Sequence, residues 1–389
     1  MTTSLAVAER DVRTDAGLRI VVSASRAPQI AVAVVVGSGS RADTADTAGL
    51  AHLVEHCTYR SDLSEDSRAH STTLTAAGAL FGASTYPDTT EFFLTARPDN
   101  LAGVLAAEAR RLKTLSVRVE MLDLERNAIE EERAARAGAR AADDLWVQHL
   151  RRHGAPGDVW HDGYGDAAGL SSLDLEDIVL FHREHYRADN IVVAIEAPSP
   201  DEALALARDA FEGIPGADAA ASAVRVEQSV PTVVTAPFGP GVAASVAARV
   251  CAVADPDGYA AHLIVRAMLA PLGVSSAVGR HGPLSTGSPD LALAVAVQPD
   301  PRSALYQLRG ALDSIAGAGD GAATDAARTR AGIDFALGLD APVTRVRTRA
   351  RTAKLYDRPD LFDRLAEALA RCPRERIRSA ARELNEVLP

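Results

Sequence analysis

The chain is poor in cysteine and lysine and has no long apolar run. Its three cysteines, Cys57, Cys251 and Cys372, are widely separated and form no C-x-x-C pair. That excludes a disulfide framework and a cysteine-held zinc ribbon, and it fits reduced thiols in a reducing compartment. No stretch approaches the roughly 20 apolar residues that span a bilayer. The first eleven residues lack the basic start and apolar centre of a secretory signal. The expectation is a soluble, cytoplasmic protein. Of 41 basic residues only Lys113 and Lys354 are lysine, and the net charge is −11. So acidic a balance argues against a general nucleic-acid surface, which needs a basic patch.

What the chain has is length and mixed patterning. Its 389 residues, 47% of them apolar, suffice for two domains with separate cores. Ile30 to Val36 and Glu91 to Ala96 read as strands, the second closed by Pro98. Asn100 to Leu115 has helical spacing, although Glu108 interrupts its apolar stripe with no evident partner. Another helix starts at Ser199 as N-cap, with Pro200 in the first helical position and Glu202 three residues after the cap. Gly213 to Val230 reads as a linker. The boundaries predicted are 1–215, a linker at 216–230, and 231–389. Val242 to Val253 reads as a further strand, and Gly258-Tyr259-Ala260 opens a helix.

The densest chemistry lies in His52-Leu53-Val54-Glu55-His56. On a helix His52 and His56 sit one turn apart on one face, so both rings can reach one metal ion. Glu55 lies beside them, placed to hold a water rather than the ion. Zinc accepts imidazole nitrogen and carboxylate oxygen, and a catalytic site leaves its fourth position to water. H-x-x-E-H is the inverted form of the H-E-x-x-H zinc-peptidase motif. Two histidines on a helix also arise by chance, so the reading needs a third ligand. The run from Leu124 to Arg133 offers candidates, although charged runs are usually solvated helix faces. Within it Glu125 and Glu132 are seven apart and nearly eclipsed on one helix face.

With these residues the chain resembles the pitrilysin, insulinase and mitochondrial-processing-peptidase family of inverted zinc peptidases, short bacterial two-domain type. That resemblance implies a third zinc ligand 76 residues after the second histidine, which is Glu132, and a further glutamate seven before it, Glu125. Val36-Gly37-Ser38-Gly39-Ser40-Arg41 is similar to the family's turn before the motif helix. Gly78 to Thr85 is similar to its substrate-binding edge strand, which makes Gly82, Ala83, Ser84 and Thr85 the expected substrate contacts. Phe181 to Ile195 resembles the helix and strand that close the first domain. The implied fold is α+β: two homologous domains, each a mostly antiparallel sheet packed with helices, together half of a clamshell. The implied function is a zinc-dependent endopeptidase subunit, one zinc per chain, cleaving peptides or leader segments in an enclosed chamber. His52, His56 and Glu132 hold the ion, Glu55 is general base, and Glu125 orients a histidine or the water. The alternative is a non-catalytic scaffold or partner-binding subunit, a reading that goes with a decayed motif.

The chain departs from the family in several places. Gly82-Ala83 stands where Asn-Ala is usual, and Cys57 stands where methionine is common; a free cysteine there reads as core. The family places an arginine and a tyrosine late in the second domain to hold the substrate. Here Arg280 matches, but Gly287 occupies the tyrosine position. A heterodimer with a related chain that supplies this pair is therefore expected. The remaining histidines read as structural: His262 alone on its helix, His149 with His153, and His182 with His185.

Overall fold

The computed structural model describes residues 8–59, 65–113, 115, 117–136, 140–154, 161–216, 230–287, 290–317 and 321–389. They form two compact units, each a sheet packed with helices, an α+β arrangement. The linker at 216–230 falls almost wholly outside the described residues.

The first unit takes residues 1–135, 163–223 and 340–360. Its strands are β1 (Ala8–Arg13), β2 (Arg19–Ala24), β3 (Ile30–Val36), β4 (Leu80–Thr85), β5 (Thr90–Ala96) and β6 (Ile191–Ala197), in the order β1-β2-β6-β3-β5-β4. β2 and β6 run parallel and the other pairs antiparallel. β3 and β6 are buried along their whole length; β3 is accordingly an unbroken apolar run, and β6 is interrupted only by Glu196. β4 forms one end of the sheet.

The pleat sorts side chains by size. Ile30, Val32, Val34 and Val36 of β3 enter the larger core. There they meet α1 (Leu50–Tyr59), α2 (Glu65–Ala76), α3 (Leu101–Lys113), α4 (Val119–Ala135), α6 (Ala167–Ser172), α7 (Leu175–His185) and α8 (Pro200–Phe211). The opposite face carries Val21, Ala31, Ala33, Val35, Val192 and Ala194, mostly small, and one helix from far along the chain, α12 (Pro342–Tyr356), lays Val346, Ala350 and Ala353 on it. In α8, Ser199 and Pro200 take their expected places, but the Ser199 side chain makes no capping bond. Glu108 of α3 has partners after all: it pairs with buried Arg111, and His70 Nε2 lies 3.8 Å away.

Helix α12 also neutralises charge inside the sheet. Glu91 on β5 is fully buried and accepts hydrogen bonds from Arg347 at 2.9 Å and Arg351 at 2.5 and 2.9 Å. Glu196 on β6 accepts two at 2.8 Å from Arg345. Burial by itself would raise the Glu91 carboxyl, but the two guanidiniums outweigh it and hold it below the usual carboxylate range.

The second unit takes residues 136–162, 224–339 and 361–389. β7 (Thr232–Phe238), β8 (Gly241–Val250), β9 (Ser275–Val278) and β10 (Asp290–Gln298) form an antiparallel sheet ordered β7-β8-β10-β9. Trp146, Val147 and Leu150 of α5 (Arg140–His153) pack on Ala247, Leu291 and Leu293. The other helices are α9 (Pro256–Leu269), α10 (Pro301–Gly317), α11 (Gly321–Gly338), α13 (Leu361–Arg371) and α14 (Arg374–Asn385). The order β8-α9-β9-β10-α10 matches β3-α1-β4-β5-α3 once α2 is set aside, and β8-β10-β9 lie in the sheet as β3-β5-β4 do. On α9, where α1 has its histidines, His262 hydrogen-bonds through Nδ1 to the Gly258 carbonyl at 2.9 Å.

Breaking a buried ion pair by removing one partner is costly because the other charge stays behind. Arg351→Met should therefore lower stability by about 3 kcal/mol in urea denaturation at pH 7. Glu91 has a depressed folded pKa, so its contribution is complete above the unfolded value of about 4.3 and is lost as pH falls toward the folded one. The gap between wild type and variant should shrink at about pH 3. A gap of equal size at both pH values would show that Glu91 charge is not its source.

Candidate metal centre

The motif helix α1 is fixed from its start. Asp43, itself 4% exposed, accepts hydrogen bonds from Gly49 N–H at 2.8 Å and Ala51 N–H at 2.9 Å. These are donors that a helix start leaves without intrahelical acceptors. Gly49 has φ +98°, a conformation that favours glycine. Leu50, Leu53, Val54 and Cys57 then enter the core. Cys57 is 1% exposed, and burial pushes its thiol up to about 12, an inert core residue rather than a ligand.

The apolar side being used, His52, Glu55 and His56 lie together on the rest of the helix, all three buried. The two imidazole rings are 4.7 Å apart and edge-on. α4 brings the carboxylates. Glu125 and Ile129 are buried on one face, and Glu132 continues that face, half-exposed. Glu132 Oε2 lies 3.6 Å from His52 Nε2 and 3.9 Å from His56 Nε2. Glu125 Oε2 is 3.0 Å from His56 Nδ1. Glu130 turns elsewhere, pairing with Arg133 at 2.9 Å, and Glu131 is exposed.

These distances fit a metal ion. Ligand bonds of about 2.0–2.2 Å around one tetrahedral ion put donor atoms roughly 3.3–3.6 Å apart. Three donor atoms of His52, His56 and Glu132 lie within 4.8 Å of one another, and no other such group occurs among the described residues. Electrostatics point the same way. Burial pulls the His56 imidazolium down, but its hydrogen bonds to Glu125 and Glu132 and the Glu55 charge hold it at about 9. Three carboxylates around two imidazoles make a pocket that attracts a cation. Glu125, on the far ring nitrogen of His56, leaves Nε2 facing Glu132.

Two contacts at the site carry no sequence signature of their own. Thr85, at the end of the edge strand β4, donates its hydroxyl to Glu55 Oε2 at 2.8 Å. Thr85 was expected only as backbone for a peptide, and its side chain has this second engagement. Tyr164 donates to Glu132 Oε1 at 3.2 Å, and its ring stands edge-on to His52 at 5.1 Å. The only sequence hint is that glycines flank Tyr164. Gly82 has a local reason: a Cβ there would meet the Phe93 ring at 2.9 Å, and the Arg347 guanidinium lies 3.8 Å from that ring's centre.

The other candidates separate cleanly. Arg280 has a side chain 5% exposed, bonded to Asp143 at 3.3 Å and to the His161 carbonyl at 3.4 Å within the second unit. His149 is fully buried between Thr232 and Ser245 hydroxyls, at 2.7 and 2.9 Å, and burial lowers it to about 3. With both ring nitrogens engaged it is structural, and His153 shares the Thr232 hydroxyl at 2.9 Å. His182 stacks on Tyr186 at 4.5 Å, and burial lowers it to about 4.

Comparison with known proteins agrees with this architecture. Residues 19–153 match the family model described as Insulinase (Peptidase family M16), and residues 172–286 the model described as Peptidase M16 inactive domain. The chain is 26% identical over 182 residues to the probable mitochondrial-processing peptidase subunit beta of Schizosaccharomyces pombe, 46% of this chain and 39% of that one. It is 24% identical to the zinc protease PqqE of Helicobacter pylori, over 52% of this chain and 44% of that one. The chain thus matches less than half the length of either relative. Its fold is that of a protease from Helicobacter pylori (TM-score 0.79, 18% identity, 97% of each chain). It is also that of pitrilysin (TM-score 0.68, 18% identity), covering 96% of this chain and 45% of that one.

Loss of the Asp43 carboxylate should loosen α1 first. Asp43→Ala is expected to cost about 0.5–2 kcal/mol, the usual range for a removed cap, in chemical denaturation of metal-free protein. A cost near zero would mean that α1 is held by its apolar face alone.

Proposed function

The chain belongs to the insulinase (M16) family of peptidases, and from that premise we propose that it is the zinc-bearing, catalytic subunit of an endopeptidase acting on peptides or leader segments. The observation that carries this reading is the convergence of His52 Nε2, His56 Nε2 and Glu132 Oε2, with Glu55 on the same helix. Those three side chains would hold one zinc per chain. When bound, zinc lowers the pKa of a coordinated water from about 9 in the aqueous ion toward about 7, so that hydroxide is available at neutral pH.

The protein's own residues do the rest. Glu55 accepts the proton released as water adds to the scissile carbonyl, then returns it to the departing amine. The Thr85 hydroxyl, donating at 2.8 Å, steadies Glu55 in its charged form and favours one orientation of its carboxylate. Glu125 holds the His56 ring by Nδ1. The substrate lies extended along β4, at the sheet's edge, where main-chain hydrogen bonds bind a peptide with little demand on sequence. The Thr85 to Glu55 bond ties the end of that strand to the base, so a peptide added to β4 is delivered alongside it.

In this reading the active species is a heterodimer. Arg280 is tied to Asp143 and His161 rather than presented to a substrate, and Gly287 has no side chain to offer. A related chain must then supply the residues that grip the peptide. The non-catalytic reading finds its support in the inactive-domain description matched by residues 172–286, a stretch that lies outside the H-x-x-E-H segment. No helix among the described residues is long and apolar enough to cross a membrane.

Glu55→Gln should leave zinc content near one per chain and reduce peptide cleavage about 10²–10⁴-fold, because the amide keeps the shape but cannot take a proton. His52→Ala, His56→Ala and Glu132→Gln should each lose zinc, whereas Glu130→Gln and Glu131→Gln should retain it. Metal analysis with a cleavage assay separates the two groups, and zinc-free wild type would sink the reading.

A second expectation concerns assembly. Alone, the chain should bind zinc and cleave slowly; a related chain with a decayed motif should restore turnover at one site per pair. A fully active homodimer, indifferent to any partner, would disprove the pairing.

A further inference from the structure

Tyr164 is delivered to the metal centre by a turn that no ordinary sequence could form. Gly163 and Gly165 flank it with φ of +93° and +70°. A Cβ on Gly165 would sit 2.1 Å from the Ala48 carbonyl oxygen, and one on Gly49 would sit 2.6 Å from the Tyr164 carbonyl oxygen. The turn is thus pressed backbone to backbone against the start of α1, the helix that carries His52. The Tyr164 backbone is thereby held close to the start of the helix that carries the histidines.

Its hydroxyl donates to Glu132 Oε1 at 3.2 Å, while the other oxygen of the same carboxylate, Oε2, faces His52 Nε2 and His56 Nε2 at 3.6 and 3.9 Å. The Tyr164 ring meets the His52 ring edge-on at 5.1 Å and 84°. We propose that Tyr164 is a positioning residue that fixes Glu132 as a one-oxygen ligand: it occupies Oε1, leaves Oε2 for the ion and braces the His52 ring. This inference rests on the zinc reading given above.

The physical need is plain from the burial of the donors. His52 and His56 are enclosed, but the Glu132 side chain is 38% exposed and sits one turn from the end of α4. An exposed glutamate samples many rotamers, and ordering it opposes metal binding. A carboxylate presenting both oxygens would also crowd the position that a catalytic site keeps open for water. A hydroxyl anchored to α1 answers both problems, since a ligand held by its own hydrogen bond needs less ordering when the ion arrives.

The test is an equilibrium zinc titration of the full chain against a competing chromophoric chelator, with thermal melting of the metal-free protein alongside. Tyr164→Phe keeps the ring against His52 and removes only the hydroxyl. It should weaken zinc binding about 10–100-fold, as expected when a ligand loses its orienting partner, and leave the metal-free melting temperature unchanged. In a Glu132→Gln background the same substitution should add little, because the two act through one carboxylate. Unchanged zinc affinity in Tyr164→Phe overturns the proposal. So does a full additional loss in the Glu132→Gln background, and so does a lowered melting point with affinity intact, which marks a structural tyrosine. If wild type itself fails to bind zinc, the functional reading falls and this assignment falls with it.

Discussion

The burial of one face of α1 in the first sheet's core is the constraint on which the rest of the molecule depends. Leu50, Leu53, Val54 and Cys57 are buried there, and helical periodicity then leaves His52, Glu55 and His56 no choice of direction. Every later element answers to that orientation. α4 must bring Glu125 and Glu132 to the same side, and it does so by burying Ile129 between them. β4 must end beside Glu55, and the Gly-Tyr-Gly turn must close on the helix start. Asp43 supplies the acceptors at the one point where the chain enters this geometry.

Polar burial follows a consistent rule in both units. The two carboxylates taken into the first sheet meet arginines of one helix: Glu91 meets Arg347 and Arg351, and Glu196 meets Arg345. In the second unit His149 bonds two hydroxyls and His262 a backbone carbonyl, and burial lowers both toward the neutral form. His56 differs in kind. It is buried among carboxylates and held toward the charged form, an arrangement suited to a cationic ligand rather than to a quiet core.

Much of this was legible in the residues. An unbroken apolar run marked β3, the family resemblance marked β6, and Pro200 marked the start of α8. The pentapeptide put His52, Glu55 and His56 together because helical spacing converts directly into shared direction, and the family resemblance pointed to Glu132 and Glu125. What escaped were contacts made across long sequence separations. The partner of Glu91 is 260 residues away in Arg351, and nothing near either residue announces the other. Tyr164 and Thr85 were hidden for the same reason, since a single hydroxyl carries no periodicity. Glu108 is a separate case: its partner Arg111 is one turn along the same helix, and only the fold shows that both are buried beside His70. Ser199 looked like a cap by type, yet its side chain does not bond as one.

The sheet covers bear on how the chain can come into being. The small-residue face of the first sheet waits for α12, which begins at Pro342, while α5, made much earlier, serves the second sheet. During synthesis the first sheet therefore emerges with Ala31, Ala33 and Val35 bare and with Glu91 and Glu196 uncompensated until the last part of the chain leaves the ribosome.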